Sequence, residues 1–139
     1  VSIFITPNLP LDMTAAIRFG ASTNVGDFNF FQSQFVGGNT NLRGYRNNRF
    51  AGKSSMYNNT EIRWRLFNIT NPIFTGNYGL LGFIDSGRVW SEFGEQSTKW
   101  HRAYGTGLWV NFYKLFLISG TVAFSEEGEF VNIQIGHYF

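Results

Sequence analysis

Along most of the chain, apolar and polar residues alternate one by one. From Leu11 to Ala21, Leu11, Met13, Ala15, Ile17 and Phe19 alternate with Asp12, Thr14, Ala16 and Arg18. From Tyr57 to Phe67, Thr60, Ile62, Trp64 and Leu66 share one face, and Asn59, Glu61, Arg63 and Arg65 the other. Between Tyr78 and Trp90, Tyr78, Leu80, Gly82 and Ile84 oppose Leu81, Phe83, Asp85 and Gly87. The same period runs from Ala103 to Phe112, from Phe116 to Phe124, and through Val131, Ile133 and Ile135 against Asn132, Gln134 and Gly136. Period two means β-strands with one apolar and one polar face. No helical period is visible. Six strands are predicted, with Val1–Thr6 as the stub of a seventh.

These predicted strands are about nine to eleven residues long, the span a tilted transmembrane strand needs. Their connections alternate in length. Pro7–Pro10 and Tyr113–Lys114 read as tight turns, Gly20–Met56 and Ser91–Arg102 as long polar loops, and Asn68–Asn77 as a turn of moderate length. Short turns at one end and long loops at the other are the habit of outer-membrane barrels. The fold class expected is therefore all-β: an antiparallel up-and-down transmembrane β-barrel, here as one domain over residues 1–139.

Composition sharpens this expectation. Of 139 residues, 19% are aromatic and 14% charged, against about 25% charged in soluble domains. No apolar run reaches the roughly 18 residues of a transmembrane helix. The opening Val1-Ser2-Ile3 has neither an initiator Met nor a basic leader, as in a mature or truncated chain. Cysteine is absent, which excludes disulfides, a thiol nucleophile and Cys-ligated metal. The net charge of +2 is scattered, and nucleic-acid binding would require a basic stripe.

Candidate chemistry is sparse. His101 and His137 lie far apart, so no metal site is expected. Ser86-Gly87 and Ser119-Gly120 lack a nucleophile elbow, and Gly105-Thr106-Gly107 sits within a strand rather than before a helix. Glu126, Glu127 and Glu129 read as a solvated hairpin tip. No catalytic residue and no cofactor are expected. What stands out is Gly37-Gly38-Asn39-Thr40-Asn41-Leu42-Arg43-Gly44-Tyr45 in the long loop, together with Glu61 and Asp85 on polar strand faces. Asp85 belongs to the pattern Phe83-Ile84-Asp85-Ser86-Gly87. An Arg folding back onto the wall can satisfy both carboxylates with its five-donor fork. The bland alternative is a mobile glycine-rich loop with Arg43 in solvent. The last strand is the second signal: Phe139, His137, Ile135, Ile133 and Val131 share one face, against the alternative of a chance amphipathic edge strand.

Taken together, these motifs resemble the BamA/TamA family (bacterial surface antigen family) of outer-membrane assembly and translocation barrels. In that family a long outer loop turns inward, and the Arg of its Arg-Gly-aromatic tip meets acids on the two following strands. Arg43-Gly44-Tyr45 looks like the tip, Glu61 like the first acid, and Asp85 between Phe83 and Gly87 like the second. The loop, about 20–56, is then expected inside the barrel. Val131, Ile133, Ile135 and Phe139 resemble the terminal signal by which such barrels are recognised for insertion. The resemblance implies the carboxy-terminal strands of a larger barrel of about sixteen strands, located in the bacterial outer membrane. The implied partners are lipid, the remaining strands, periplasmic POTRA domains, and client outer-membrane or secreted proteins. It implies an insertase or translocase that is not an enzyme and works through a weak seam between first and last strands. Two alternatives stand beside it: a barrel of the same family that anchors or secretes its own amino-terminal enzyme domain, of patatin-like lipase type, and a soluble β-barrel that binds a small ligand.

Overall fold

A computed structural model describes residues 2–5, 8–9, 12–24, 33–70, 75–90 and 99–112, and residues 116–137. Among the described residues ten strands form: β1 (Ser2–Ile5), β2 (Asn8–Leu9), β3 (Met13–Thr23), β4 (Gln34–Val36), β5 (Phe50–Gly52), β6 (Ser54–Thr70), β7 (Thr75–Trp90), β8 (His101–Phe112), β9 (Phe116–Ser125) and β10 (Gly128–His137). The main sheet is antiparallel, in the order β1-β3-β6-β7-β8-β9-β10, with β2 also pairing β3. β1 and β2 follow one another along the same edge of β3, β4 and β5 form a separate two-stranded ladder inserted between β3 and β6, and the other sequential strands are neighbours. The protein is an all-β, up-and-down partial barrel. Among the described residues β1 pairs only with β3 and β10 only with β9, so the sheet is open at both edges.

Register fixes which side chains share a face. Ala16 pairs with Glu61, Asn59 with Asp85, Asp85 with Ala103, and Gly107 with Thr121. The face carrying these residues also carries the long loop. On the opposite face Leu108 is 63% exposed and Ile84 62%, whereas Asp85 and Asn111 on the loop face are nearly sealed at 0% and 2%. This inverted distribution suits a barrel whose outer surface meets lipid and whose interior is polar. A soluble barrel would bury Leu108 and Ile84 instead. Val131, Ile133 and Ile135 are exposed on the outer face of β10.

Several expectations need correction. β6 has 17 residues and β7 has 16, well beyond the nine to eleven expected. The Asn68–Asn77 connection is mostly strand, because the β6–β7 ladder continues to Thr70↔Thr75. Leu66 is the extra residue of a bulge between Arg65 and Phe67, and it restores the alternation so that the extended hairpin keeps its facing. The long loop is shorter than 20–56, since β3 runs to Thr23 and β6 starts at Ser54. The reversal expected at Pro7–Pro10 falls later, because Asn8 and Leu9 still pair with Thr14 and Met13. Asp12, at the start of the next strand, has φ of +58°. The Tyr113–Lys114 turn, most of the Ser91–Arg102 loop and Phe139 lie outside the described residues.

Two apolar clusters sit on the loop face. One joins Val36, Leu42, Tyr45 and Phe50 of the loop to Val89 and Ala103 of the wall. The other, Leu81, Phe83, Trp109 and Ala123, lies within the wall. Val36 and Leu42 are 1% and 0% exposed. Burying each aliphatic side chain stabilises by about 1.5–3 kcal/mol, so the loop has its own apolar reason to lie against the sheet.

Candidate functional site

The loop reaches the wall as an ordered hairpin. β4 and β5 pair antiparallel, and beyond them Gly38 and Leu42 exchange backbone hydrogen bonds of 3.1 Å each. Asn41 stiffens the turn: its Oδ1 accepts from the Gly37 amide at 2.9 Å and its Nδ2 donates to the Phe35 carbonyl at 3.1 Å. The side chain of Asn59 on β6 donates to the Asn41 carbonyl at 2.9 Å and so ties the turn to the sheet. Arg43 emerges next and is aimed inward.

The guanidinium of Arg43 grips both acids. Nε donates to Asp85 Oδ2 at 2.8 Å and Nη2 to Asp85 Oδ1 at 2.9 Å, a bidentate fork. Nη1 donates to Glu61 Oε2 at 2.5 Å, and the Arg43 backbone amide donates to Asp85 Oδ2 at 3.1 Å. Its Cζ stands 3.7 Å above the centroid of the Phe83 ring, which adds a cation–π contact. Burial works against the charge on Arg43. Its hydrogen bonds and charge contacts with Asp85 and Glu61 outweigh that penalty and hold its pKa above the ordinary value, so it stays charged.

The neighbours of Arg43 explain the small residues of the motif. Gly44 has φ of +87°, where a side chain is strained, and a Cβ there would lie 3.1 Å from Ala103 Cβ and 3.3 Å from Ala123 Cβ. The hydroxyl of Ser125 donates to the Gly44 carbonyl. A Cβ on Gly87 would lie 2.9 Å from Val36 Cγ1, so the glycine of the Phe83–Gly87 pattern is where the loop presses on β7. The Tyr45 hydroxyl donates to the Arg102 carbonyl at 3.1 Å. Its ring meets Phe50 and His101 edge-on at 5.3 and 5.7 Å.

Arg43, Gly44, Tyr45, Glu61, Phe83, Asp85 and Gly87 therefore converge in one place. Val131, Ile133 and Ile135 do not join them, because they face the other way on β10. Sequence reasoning missed several contributors. Arg63 Nε donates to the second oxygen of Glu61 at 2.6 Å, so Glu61 is shared by two arginines. Arg18 donates to Asn59 Oδ1 from Nε at 2.9 Å and to the Thr40 carbonyl from Nη2. Gln134 on β10 donates to the Asn39 carbonyl at 2.9 Å. The loop thus touches the wall from β3 to β10. Ala103 and Ala123, both wholly buried on the loop face, form its seat.

The arrangement ties the loop to the wall through Arg43, and no cluster of three or more potential metal ligands occurs among the described residues. The profile of the Omp85 superfamily domain matches residues 1–136. The chain belongs to the Omp85 superfamily. No curated protein and no solved structure matches the chain. Omp85 proteins are barrels of the bacterial outer membrane that work in protein insertion and translocation. For an Omp85 chain, the exposed apolar face of the sheet is the lipid face, and the loop face lines the lumen.

Proposed function

We propose that this chain forms the carboxy-terminal strands of a BamA/TamA-type barrel of about sixteen strands, which inserts or translocates other proteins at the bacterial outer membrane. The observation that supports this reading is the docked loop, with Arg43 forked onto Asp85 and reaching Glu61. A barrel that opens a seam to a client strand must keep the rest of its wall in register. A loop pinned from β3 to β10 does that without nucleotide or active-site chemistry, and no catalytic residue takes part. Val131, Ile133, Ile135 and Phe139 act in assembly of the barrel itself. Client strands add at an open sheet edge by β-augmentation.

The test uses the full-length protein in lipid vesicles, with the folding rate of an unfolded client barrel as readout. Vesicles holding the protein should fold the client faster than empty ones. Arg43→Ala should lose most of that acceleration while the barrel itself still assembles, and Arg43→Lys should keep part of it. No acceleration over empty vesicles would sink the reading, and would be the result for a barrel that only exports its own amino-terminal domain.

A further inference from the structure

The outward face of the sheet is apolar over most of its height, and its charges gather at one end. On β8 it carries Tyr104, Thr106, Leu108, Val110 and Phe112, and on β7 Tyr78, Leu80, Gly82 and Ile84. The span from Tyr104 to Phe112 measures about 27 Å along the strand at about 3.4 Å per residue, and about 20 Å across a bilayer at a tilt of about 40°. The apolar band of an outer-membrane barrel is about 25 Å tall, so this stretch accounts for most of it. Beyond Ile84 and Tyr104, toward the long loops, the same face turns polar: Ser86 pairs with Arg102, and Arg88 and Trp90 follow on β7. Trp90 and Tyr104 are exposed at this level, as in the aromatic girdle that marks a membrane boundary.

Among the described strand residues of this face the charged ones are Arg88, Arg102 and Glu129, all at the loop end. Glu129 stands apart on β10, with β9 between it and Arg102. Because Ser86 pairs with Arg102, Arg88 and Arg102 are diagonal neighbours across the β7–β8 ladder, a placement of about 7–8 Å at the backbone. The Arg88 Cζ lies 5.0 Å from the centroid of the Trp90 ring, so the indole holds this guanidinium at the boundary. Arg88 Nε is buried without an acceptor, and neither arginine forms an ion pair with a carboxylate among the described residues. Arg102 is exposed. A guanidinium fork matches two oxygens of a phosphate, and phosphate is the anion that membrane lipids present at the edge of the hydrocarbon. An arginine carried outward at that edge meets headgroups before it meets bulk water.

We propose that Arg88 and Arg102 form a binding site for the phosphate of a membrane lipid in the leaflet next to the long loops, with Trp90 and Tyr104 packed against the apolar part of the same molecule. The occupant is a lipid because the two guanidiniums stand directly above an apolar wall, which a free anion leaves unused. A lipid held there fixes the depth of this end of the sheet in the membrane. The inference uses the assignment of the exposed apolar face to lipid. It does not require that the barrel insert or translocate other proteins.

The experiment is native mass spectrometry of the full-length protein in detergent, titrated with lipid A and with lipid A stripped of its phosphates. The phosphorylated lipid should bind more tightly. Arg88→Gln and Arg102→Gln should each weaken its binding about tenfold, the effect of one charge-assisted hydrogen bond, and leave the stripped lipid unaffected. Arg88→Lys and Arg102→Lys keep the charge without the fork and should bind at intermediate strength. Arg65→Gln, on the lumen face toward the other end of β6, should change nothing. Unheated gels show which variants are folded, and the Lys variants carry the test if a Gln variant is not. Equal binding of the two lipids, or variants of Arg88 and Arg102 that behave like Arg65→Gln, would overturn the site. So would displacement of lipid A by millimolar inorganic phosphate, the result for a simple anion site. Refolding of Leu108→Lys into lipid tests the lipid assignment of this face separately, so the two can fail independently.

Discussion

Replacing Arg43 by Ala isolates the energy of the brace, because the two acids do not depend on it equally. Glu61 keeps Arg63 as a partner at 2.6 Å. Among the described residues Asp85 has no partner but Arg43, and its side chain is 0% exposed. Stranding one member of a buried pair costs about 3–5 kcal/mol, and Asp85 carries most of that cost. The opposing term is the burial of Val36 and Leu42, together about 3–6 kcal/mol. The two are comparable, so the loop of Arg43→Ala should open often while the sheet, held by its ladders, stays folded. At about 1.4 kcal/mol per tenfold, the docked-to-undocked ratio should fall by about two to three and a half orders of magnitude. Hydrogen exchange on the intact barrel reads this directly, since the residue 43 amide donates to Asp85 and the Leu42 amide to Gly38. Both amides should exchange faster, and those of β7 and β8 should not. Arg43→Ala combined with Asp85→Asn should recover part of the loss, because the stranded charge is then gone. Exchange of both amides within threefold of the parent, or strict additivity in the double variant, would refute the reasoning.

Three further outcomes follow from the same geometry. Gly44→Ala places a side chain at φ +87° against Ala103 and Ala123; the left-handed backbone alone costs about 1–2 kcal/mol, so loop amides should exchange faster with Arg43 still present. Leu108→Lys puts a charge on the outer face and should cost about 2–4 kcal/mol if the site lies near the bilayer midplane, read as a lower folded fraction on unheated gels after refolding into lipid; an unchanged fraction would count against the lipid assignment of that face. Deleting Phe139 should lower the amount of assembled protein in the outer membrane without changing loop exchange in the molecules that do assemble, and normal assembly would remove the terminal-signal reading.

The alternation of residues determined a great deal by itself. Each strand is a local object of period two, so the facing of Ile62, Leu108, Asp85 and Asn111 follows from parity alone once one face is known to meet lipid. The candidate brace was legible chiefly through resemblance: the two wall carboxylates, Glu61 and Asp85, call for partners, but the choice of Arg43 over a mobile loop with Arg43 in solvent came from the likeness of Arg43-Gly44-Tyr45 to the loop tip of a known family. Tertiary structure decided what parity leaves open. Strand ends depend on whether a neighbour continues the ladder, so the extension of β6 and β7 to Thr70 and Thr75 became visible only with both strands paired. The seat for Gly44 is made by Ala103 and Ala123, which lie on different strands and are unremarkable when read singly. The sharing of Glu61 between Arg43 and Arg63, and the reach of Gln134 to Asn39 across 95 positions, are contacts between residues remote in sequence. Local pattern carries no information about such distances; they are set when the loop folds onto the wall and its burial selects one arrangement.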